Sequence, residues 1–478
     1  MIKDHTHLFE VNSKKYAFDW EKLIAVSLDN ITYDLLKDLK NGRVNSSSIY
    51  HKYEKGLVDE SKRSLQEIIN EGFFFGEEAD EMVDKRVYEK AYFSFPTVHR
   101  CNFKCRYCFA DAGRNFEQYG MAFHPDTLRK AMEYLYMDLF ADVERFRLDF
   151  VSGGEPLLNF GVIEDCVQIG RDLYNKTGKK LEIWLCTNGS INQKSYWEFL
   201  EKNRISLGVS IDGDQSEHDK NRLDNNGNGT YQLVTKNIRY IIDNPDFNSN
   251  FRDLWGLSVI TGDTSSLVDI LKHNKELGIN RMQMKFVRLN KDVPFSINKQ
   301  TILHVKEMYR DLVEFLKSAY NTGDLSYLNM IVNDNDYFGK ILCRLILREK
   351  YHTRCFAGKC KVSITANGQL YPCDSFVGNI DYCLGDIYRG INAEKRERFY
   401  ETTIYTREPC RSCWAKYVCG GDCLHNAYLA NGDIHMCDET FCDFMHYAIE
   451  LSIDLIQHIS EGPYAQKFYR FLKLRSFI

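Results

Sequence analysis

Three cysteines stand in a C-x3-C-x2-C run within Cys101-Asn102-Phe103-Lys104-Cys105-Arg106-Tyr107-Cys108. Thiolates this close in sequence can hold three irons of one [4Fe–4S] cube. The fourth iron then lacks a protein ligand and can take a small molecule. A structural zinc site wants four ligands, usually as two separated pairs, so a triplet suits zinc poorly. Lys104 and Arg106 bring positive charge to the same loop, where they either raise the potential of a cluster or simply face solvent.

A second cysteine field lies far downstream. The chain holds sixteen cysteines, none before Cys101, with nine between Cys355 and Cys437 and Cys442 close behind. In a reducing compartment such clustering points to metal rather than to disulfides. The spacing is Cys355-x12-Gly368-x4-Cys373, then Cys410-x2-Cys413-x5-Cys419-x3-Cys423, with Cys442 after a gap. A zinc staple built from Cys410, Cys413, Cys419 and Cys423 is the bland alternative. Cys166, Cys186 and Cys343 sit in apolar or helical settings and read as core residues, and Cys383 reads as structural.

Between the two fields lie turns with polar residues. Ser152-Gly153-Gly154-Glu155-Pro156 offers glycines that permit close backbone approach and a carboxylate that can accept from an ammonium group. Thr187-Asn188-Gly189, Ser210-Ile211-Asp212-Gly213, His218-Asp219-Lys220-Asn221-Arg222 and Gly229-Thr230 follow. Taken singly, each is compatible with ordinary turn chemistry.

The elements that position these residues are legible as strand-then-helix units. Strands are expected at Ala91–Val98, Phe146–Val151, Leu181–Cys186, Ile205–Ile211, Leu254–Ile260 and Arg281–Val287, with helices such as Pro125–Phe140 and Tyr231–Ile242 between them. Six such units argue for a parallel α/β sheet that stops short of a closed eight-stranded barrel. Ligands bind such folds where the strands end, and the motifs above sit there. Residues 91–300 are assigned to this partial barrel, 301–350 to a helical bridge, 351–447 to the cysteine-rich domain and 448–478 to a C-terminal helix, with helical character from Phe444. Lys361–Thr365 is a short strand of the cysteine-rich domain, in which metal sites can substitute for an apolar core.

Residues 1–82 form a separate module. Leu8–Val11 and Tyr16–Asp19 alternate as strands about the turn Asn12-Ser13-Lys14-Lys15. Asp29 can cap a helix carrying Tyr33, Leu35, Leu36 and Leu39. A second helix carries Leu65, Ile68 and Ile69, ends near Gly72 and leads into Phe73-Phe74-Phe75. Hairpin, helices and a late short strand suggest a winged-helix-like fold, with a charged linker over residues 77–90.

Bulk properties fit an enzyme with a large core. Of 478 residues, 44% are hydrophobic and 13% aromatic. The net charge of −5 gives no electrostatic reason to expect nucleic acid or an anionic membrane as partner. The N-terminal stretch Met1–Asp19 lacks the apolar segment of a signal peptide, and no run approaches a membrane span, so a cytoplasmic location is expected.

The cysteine triplet with Tyr107, the Gly153-Gly154-Glu155-Pro156 turn and the SIDG…HDxxR…GT run resemble the radical S-adenosylmethionine (SAM) superfamily. The resemblance implies SAM chelated to the open iron of the Cys101/Cys105/Cys108 cluster, with Tyr107, Gly153, Gly154, Glu155, Pro156, Asn188, Ser210 and Arg222 around it. Glu155 would face the methionyl amine, Ser210 the ribose region and Arg222 the carboxylate. The second field resembles the seven-cysteine SPASM domain of radical SAM maturases. That implies two auxiliary [4Fe–4S] clusters, three in all: one on Cys355, Cys360, Cys373 and Cys423, the other on Cys410, Cys413, Cys419 and Cys442. Cys437 rivals Cys442, and without Cys360 the first auxiliary cluster keeps an open iron. Residues 1–82 resemble the leader-peptide recognition element of enzymes that modify ribosomally made peptides, an element that adds an extended leader as a strand.

Together these resemblances imply a maturase of the thioether-forming type. Its 5′-deoxyadenosyl radical would take a hydrogen from a peptide carbon, which couples to a substrate cysteine sulfur while an auxiliary cluster accepts the surplus electron. The cofactor carries the hard chemistry and the protein positions and shields the reacting groups, so no side chain is assigned as a general base. The implied partners are a cysteine-containing precursor peptide and an electron donor such as flavodoxin or ferredoxin. Carbon–carbon crosslinking, sulfatase-type formylglycine formation and a purely electron-relaying role are the alternatives.

Overall fold

The computed structural model describes residues 3–43, 47–76, 88–111, 118–151, 153–244, 247 and 254–475. Six strands, Lys90–Ser94, Arg145–Phe150, Lys180–Thr187, Ser206–Ser210, Trp255–Ile260 and Arg281–Phe286, pair in parallel in chain order. All six expected strands are present, each within a few residues of its expected ends. Their apolar residues, such as Phe146, Leu148 and Phe150, are buried against the helices or the barrel interior. Helices such as Phe160–Thr177 and Tyr231–Asp243 return the chain between them and pack on the sheet. The Pro125 helix ends at Tyr134 and is continued by a π-turn, Leu135–Leu139.

The sheet does not stop at Lys90–Ser94. Lys361–Ile364 adds in parallel to that strand, with Lys361 opposite Tyr92 and Ser363 opposite Ser94. Gln369–Tyr371, Gly385–Asp386 and Gly390–Ile391 extend it antiparallel to ten strands. The cysteine-rich segment thus covers the barrel edge that an isolated six-stranded sheet would expose, with Cys360 and Cys373 flanking its added strands.

The N-terminal residues form a three-stranded antiparallel sheet, Thr6–Val11, Lys14–Asp19 and Ile24–Leu28, covered by the helices Asn30–Lys40 and Lys55–Asn70. The third strand was not foreseen from the sequence. Asp29 caps the first helix, its carboxylate accepting from Thr32 N at 2.9 Å. Phe75–Gly76 pairs back onto Lys3–Asp4. Ala17, Leu36, Val58 and Phe74 lie at the centre of a core separate from that of the barrel. The expected linker falls largely on residues 77–87, outside the described residues.

This unit docks on the cysteine-rich domain. His7 stacks on Trp414 with ring centroids 3.6 Å apart, and its Nε2 lies 2.8 Å from Glu450 Oε1. Tyr16 donates to buried Asp454 at 2.6 Å, which also pairs with Lys317. Glu450 and Asp454 lie on the long helix Glu439–Glu461. That helix starts earlier than the expected Phe444, so Cys442 lies inside its first turns rather than ahead of it, and it runs through the boundary set at 447/448. Among the described residues no helix is long and apolar enough to cross a membrane.

Candidate active site and cluster-binding cysteines

The loop carrying Cys101, Cys105 and Cys108 leaves the first barrel strand and is fastened to the segment after the fourth. Lys104 N donates to Leu223 O (2.7 Å), Arg106 N to Asn221 O (3.0 Å), and Phe103 bridges to Asp224. A turn follows, with Cys108 N donating to Cys105 O at 3.0 Å. Cys101 Sγ accepts from Phe103 N at 3.4 Å and from Asn188 Nδ2 at 3.6 Å. Burial pushes the Cys101 thiol up to about 11 and the Cys105 thiol to about 12, with the neighbouring cysteines adding to both. Thiols held this way ionise when a metal takes the proton's place.

The glycines behind the loop are required by it. A Cβ on Gly154 would stand 2.2 Å from Arg100 O and 2.5 Å from Val98 O, and one on Gly153 2.7 Å from Pro96 Cβ. Gly153 also has φ +89°. The close approach these glycines provide is therefore to the segment leading into Cys101. Ser152 lies outside the described residues.

Glu155 is buried, and its carboxylate accepts from Thr187 Oγ1 (2.6 Å), Asn188 N (2.7 Å) and Leu157 N (3.1 Å). Burial drives its pKa up to about 7 against those hydrogen bonds. It ties the second strand's loop to the third's and caps the turn Pro156–Asn159. Asn188 completes the link, donating to Asn102 Oδ1 at 2.9 Å as well as to Cys101 Sγ.

Arg222 is almost fully buried beside Cys105. Its Nε and Nη2 donate to Asp212 at 2.9 and 3.1 Å, and its guanidinium lies 5.3 Å from the Tyr107 ring centre. The Tyr107 hydroxyl donates to the same carboxylate, and Val259 N donates to it at 3.0 Å. Asp212 is thus the hub of a buried network that the sequence reading did not single out. His218 is fully buried, 3.1 Å from Thr230 Oγ1, and burial lowers its pKa to about 4, so it is neutral at physiological pH. Ser210 Oγ lies 3.7 Å from Cys186 Sγ on the neighbouring strand. Arg106 pairs with Asp263 through two contacts of 2.6 and 2.7 Å at the surface.

In the second field, Cys410, Cys413, Cys419 and Cys442 line one cavity of about 310 Å³, together with Met445 and His446. Cys413 Sγ lies 3.1 Å from His446 Nε2. Cys437 is buried at its edge, 3.4 Å from Cys410 Sγ, so both rivals for the last position stand by the same cavity. Cys355, Cys373 and Cys423 form a second group, each within electrostatic reach of the others. Cys360 is buried at the barrel edge, where its carbonyl accepts from Tyr92 N at 2.7 Å. A further cavity of about 400 Å³ joins Cys423 to Val287 and Arg288 at the end of the last barrel strand.

Among the described residues no three His, Cys, Asp or Glu side chains converge on a single-ion site. A cube spreads its thiolates over separate irons, so wider thiol spacing suits it. The all-thiol donor sets fit iron–sulfur clusters. Cys166 is buried in a helix, and Cys383 is held by a 3.6 Å contact to Gly385 O.

Comparison with known proteins accords with this geometry. Residues 95–248 match the radical SAM superfamily and residues 355–414 the SPASM iron–sulfur cluster-binding domain. The cysteine-type anaerobic sulfatase-maturating enzyme of Clostridium perfringens is 24% identical over 76% of this chain and 97% of its own length. The radical SAM cyclopropyl synthase TigE of Paramaledivibacter caminithermalis is 22% identical over 90% of this chain and 91% of its own. A solved structure, native anSMEcpe with bound AdoMet and Cp18Cys peptide, shares the fold with a TM-score of 0.61 at 20% identity, covering 77% of this chain and 98% of that one. Residues 95–248 thus carry a radical SAM domain and residues 355–414 a SPASM domain, a pairing that indicates an enzyme using SAM and iron–sulfur clusters.

Proposed function

We propose that the chain modifies a ribosomally made, cysteine-containing precursor peptide, joining a cysteine sulfur to a carbon of the same peptide as a thioether. The observation that carries this reading is the N-terminal unit. Its strand Ile24–Leu28 is an outer strand, paired on one side only among the described residues. Such an edge can take a leader as an added strand. The unit is seated on Trp414, next to Cys413, so a leader bound there would be tethered close to the SPASM cysteines. Two comparisons support a peptide substrate: a structural relative holds a peptide, and sulfatase maturation acts on a polypeptide.

In this reading Cys101, Cys105 and Cys108 hold the SAM cluster, whose chemistry with bound SAM is one-electron cleavage to a hydrogen-abstracting radical. Gly153, Gly154, Glu155, Pro156, Asn188, Ser210, Arg222 and Tyr107 frame the SAM site. Asp212 orients Arg222 and Tyr107, and Glu155 fixes the loop that presents Asn188. Cys355, Cys360, Cys373 and Cys423 hold one auxiliary cluster, and Cys410, Cys413, Cys419 and Cys442 the other. The cavity beside Cys423 seats the reacting peptide segment, and a flavodoxin or ferredoxin supplies electrons.

Co-expression with a short cysteine-bearing reading frame beside the gene, followed by mass spectrometry, tests the proposal. Loss of two hydrogens with one fewer alkylatable thiol is expected. Loss of two hydrogens with every thiol retained would instead establish a carbon–carbon crosslink. An unchanged peptide from enzyme that cleaves SAM would defeat the proposal.

A further inference from the structure

Two buried arginines grip the loop that carries Cys419. Arg344 and Arg407 are each 1% exposed. Arg344 Nη1 donates to Val418 O (2.6 Å) and Cys419 O (2.9 Å), and its guanidinium lies 3.6 Å from the Tyr351 ring centre. Arg407 Nη1 donates to Asp422 O at 2.6 Å. On both arginines, Nε and Nη2 meet no acceptor among the described residues.

Main-chain carbonyls satisfy hydrogen bonds but do not cancel charge. Arginine stays ionised in proteins, and burying an uncompensated cation is strongly unfavourable. Among the described residues neither guanidinium has a carboxylate within ion-pair distance. Asp422 lies within electrostatic reach of Arg407 and Asp334 within that of Arg344, but neither forms an ion pair with them, and Asp422 accepts from Asn426 Nδ2 at 3.0 Å and from Asp438 N at 3.1 Å. Arg354 adds to the excess: it donates to Cys419 O at 3.1 Å.

These charges also face sulfur. Arg407 lies within electrostatic reach of Cys410 and Cys437, and Arg344 and Arg354 within reach of Cys419. A cube ligated by four thiolates is a net anion, and its potential follows nearby charge and burial.

We propose that Arg407 and Arg344 are the counter-charges of an iron–sulfur cluster seated in the cavity of Cys410, Cys413, Cys419 and Cys442, and that they raise its reduction potential. The inference rests on the reading of that cavity as a cluster site. Reduction adds a negative charge to the cluster, and two buried cations held outside any ion pair stabilise the reduced form more than the oxidised one. The fold thereby marks this cluster as an electron acceptor within the protein.

The test uses the full, anaerobically reconstituted chain carrying Cys101→Ala, Cys105→Ala and Cys108→Ala, so that only auxiliary signals remain. Iron and sulfide are counted, and the signals are titrated by electron paramagnetic resonance against potential. Arg407→Gln, and separately Arg344→Gln, should lower one midpoint by at least a tenfold change in its reduction equilibrium, 59 mV for one electron, with iron content kept. Arg407→Lys should restore most of it. Unchanged midpoints at full iron content would overturn the inference. If Arg407→Gln loses iron, Arg407→Lys must retain it; loss from both in a folded chain would assign packing instead and overturn it as well. Absence of auxiliary iron from the arginine-intact chain would overturn the cluster reading itself.

Discussion

The two cysteine fields differ in electrostatic plan. At the triplet, two arginines have carboxylates: Arg222 is paired with Asp212, and Arg106 with Asp263. Around Cys419 the arginines are held by carbonyls and aromatic rings. Paired cations contribute little net field, whereas unpaired buried ones contribute a large one. A cluster held by the triplet would in this arrangement be hard to reduce and strongly reducing once charged, which would suit a donor to SAM. The second suits an acceptor. The difference lies in where carboxylates are placed, since both loops carry basic residues.

Removing one field should expose the other. Replacing Cys101, Cys105 and Cys108 by alanine should abolish formation of 5′-deoxyadenosine, followed by chromatography with mass detection, and remove about four irons of roughly twelve. Loss of nearly all iron would show that the fields do not load independently. Asp212→Asn would make the triplet resemble the second field by leaving Arg222 uncompensated. Breaking a buried pair of this kind costs about 3–5 kcal/mol, measurable by chemical denaturation, and the triplet's midpoint should rise while the auxiliary midpoints stay. A triplet midpoint that does not move would break the comparison.

Gly154→Ala tests the barrel loop through shape alone. Its Cβ would press on the carbonyls of Arg100 and Val98, which are backbone atoms with little freedom to give. Overpacking at such a site costs about 1–3 kcal/mol or more. The effect should fall on iron retention at the triplet, with the auxiliary clusters intact.

Much of this arrangement was legible in the sequence because local patterns encode it. The six strands announced themselves as short strand-then-helix units, and the spacing of Cys410, Cys413 and Cys419 placed those three at one cavity, while Cys423 turns to Cys355 and Cys373. What could not be read depended on contacts across long chain separations. Asp212 looks like one residue of a turn until Arg222 and Tyr107 close on it. Lys361–Ile364 is too short to reveal that it pairs with Lys90–Ser94. Arg344 sits in a helix, and nothing in its neighbours signals that it reaches the Val418–Cys419 carbonyls. The approach of Gly154 to the cysteine loop was likewise invisible, since a glycine turn implies a close neighbour without naming it.

Acid should weaken the barrel side through His218. Its pKa is about 4 in the fold against an ordinary 6.5, so the unfolded chain binds the proton first. Stability from its neutral burial is full above about pH 6.5 and is lost as pH falls toward 4. Between pH 7 and pH 5 the loss is about 2 kcal/mol, using 1.36 kcal/mol per pH unit below 6.5. His218→Gln should flatten that part of the stability–pH curve of the chain; an unchanged slope would place the histidine's charge elsewhere.

The smallest effect is expected at Arg106, and it discriminates sharply. The Arg106–Asp263 pair is partly exposed, with side chains 29% and 44% accessible. Exposed pairs contribute under about 1 kcal/mol and weaken with salt. Arg106→Gln should therefore cost little stability, and that little should vanish in high salt. Its charge lies closer in sequence to the triplet than Arg407 lies to Cys410, yet Asp263 already offsets it. The triplet midpoint should accordingly move much less in Arg106→Gln than the auxiliary midpoint moves in Arg407→Gln. Equal shifts would mean that proximity of a cation, paired or not, sets the potentials, and the distinction between the two fields would fail.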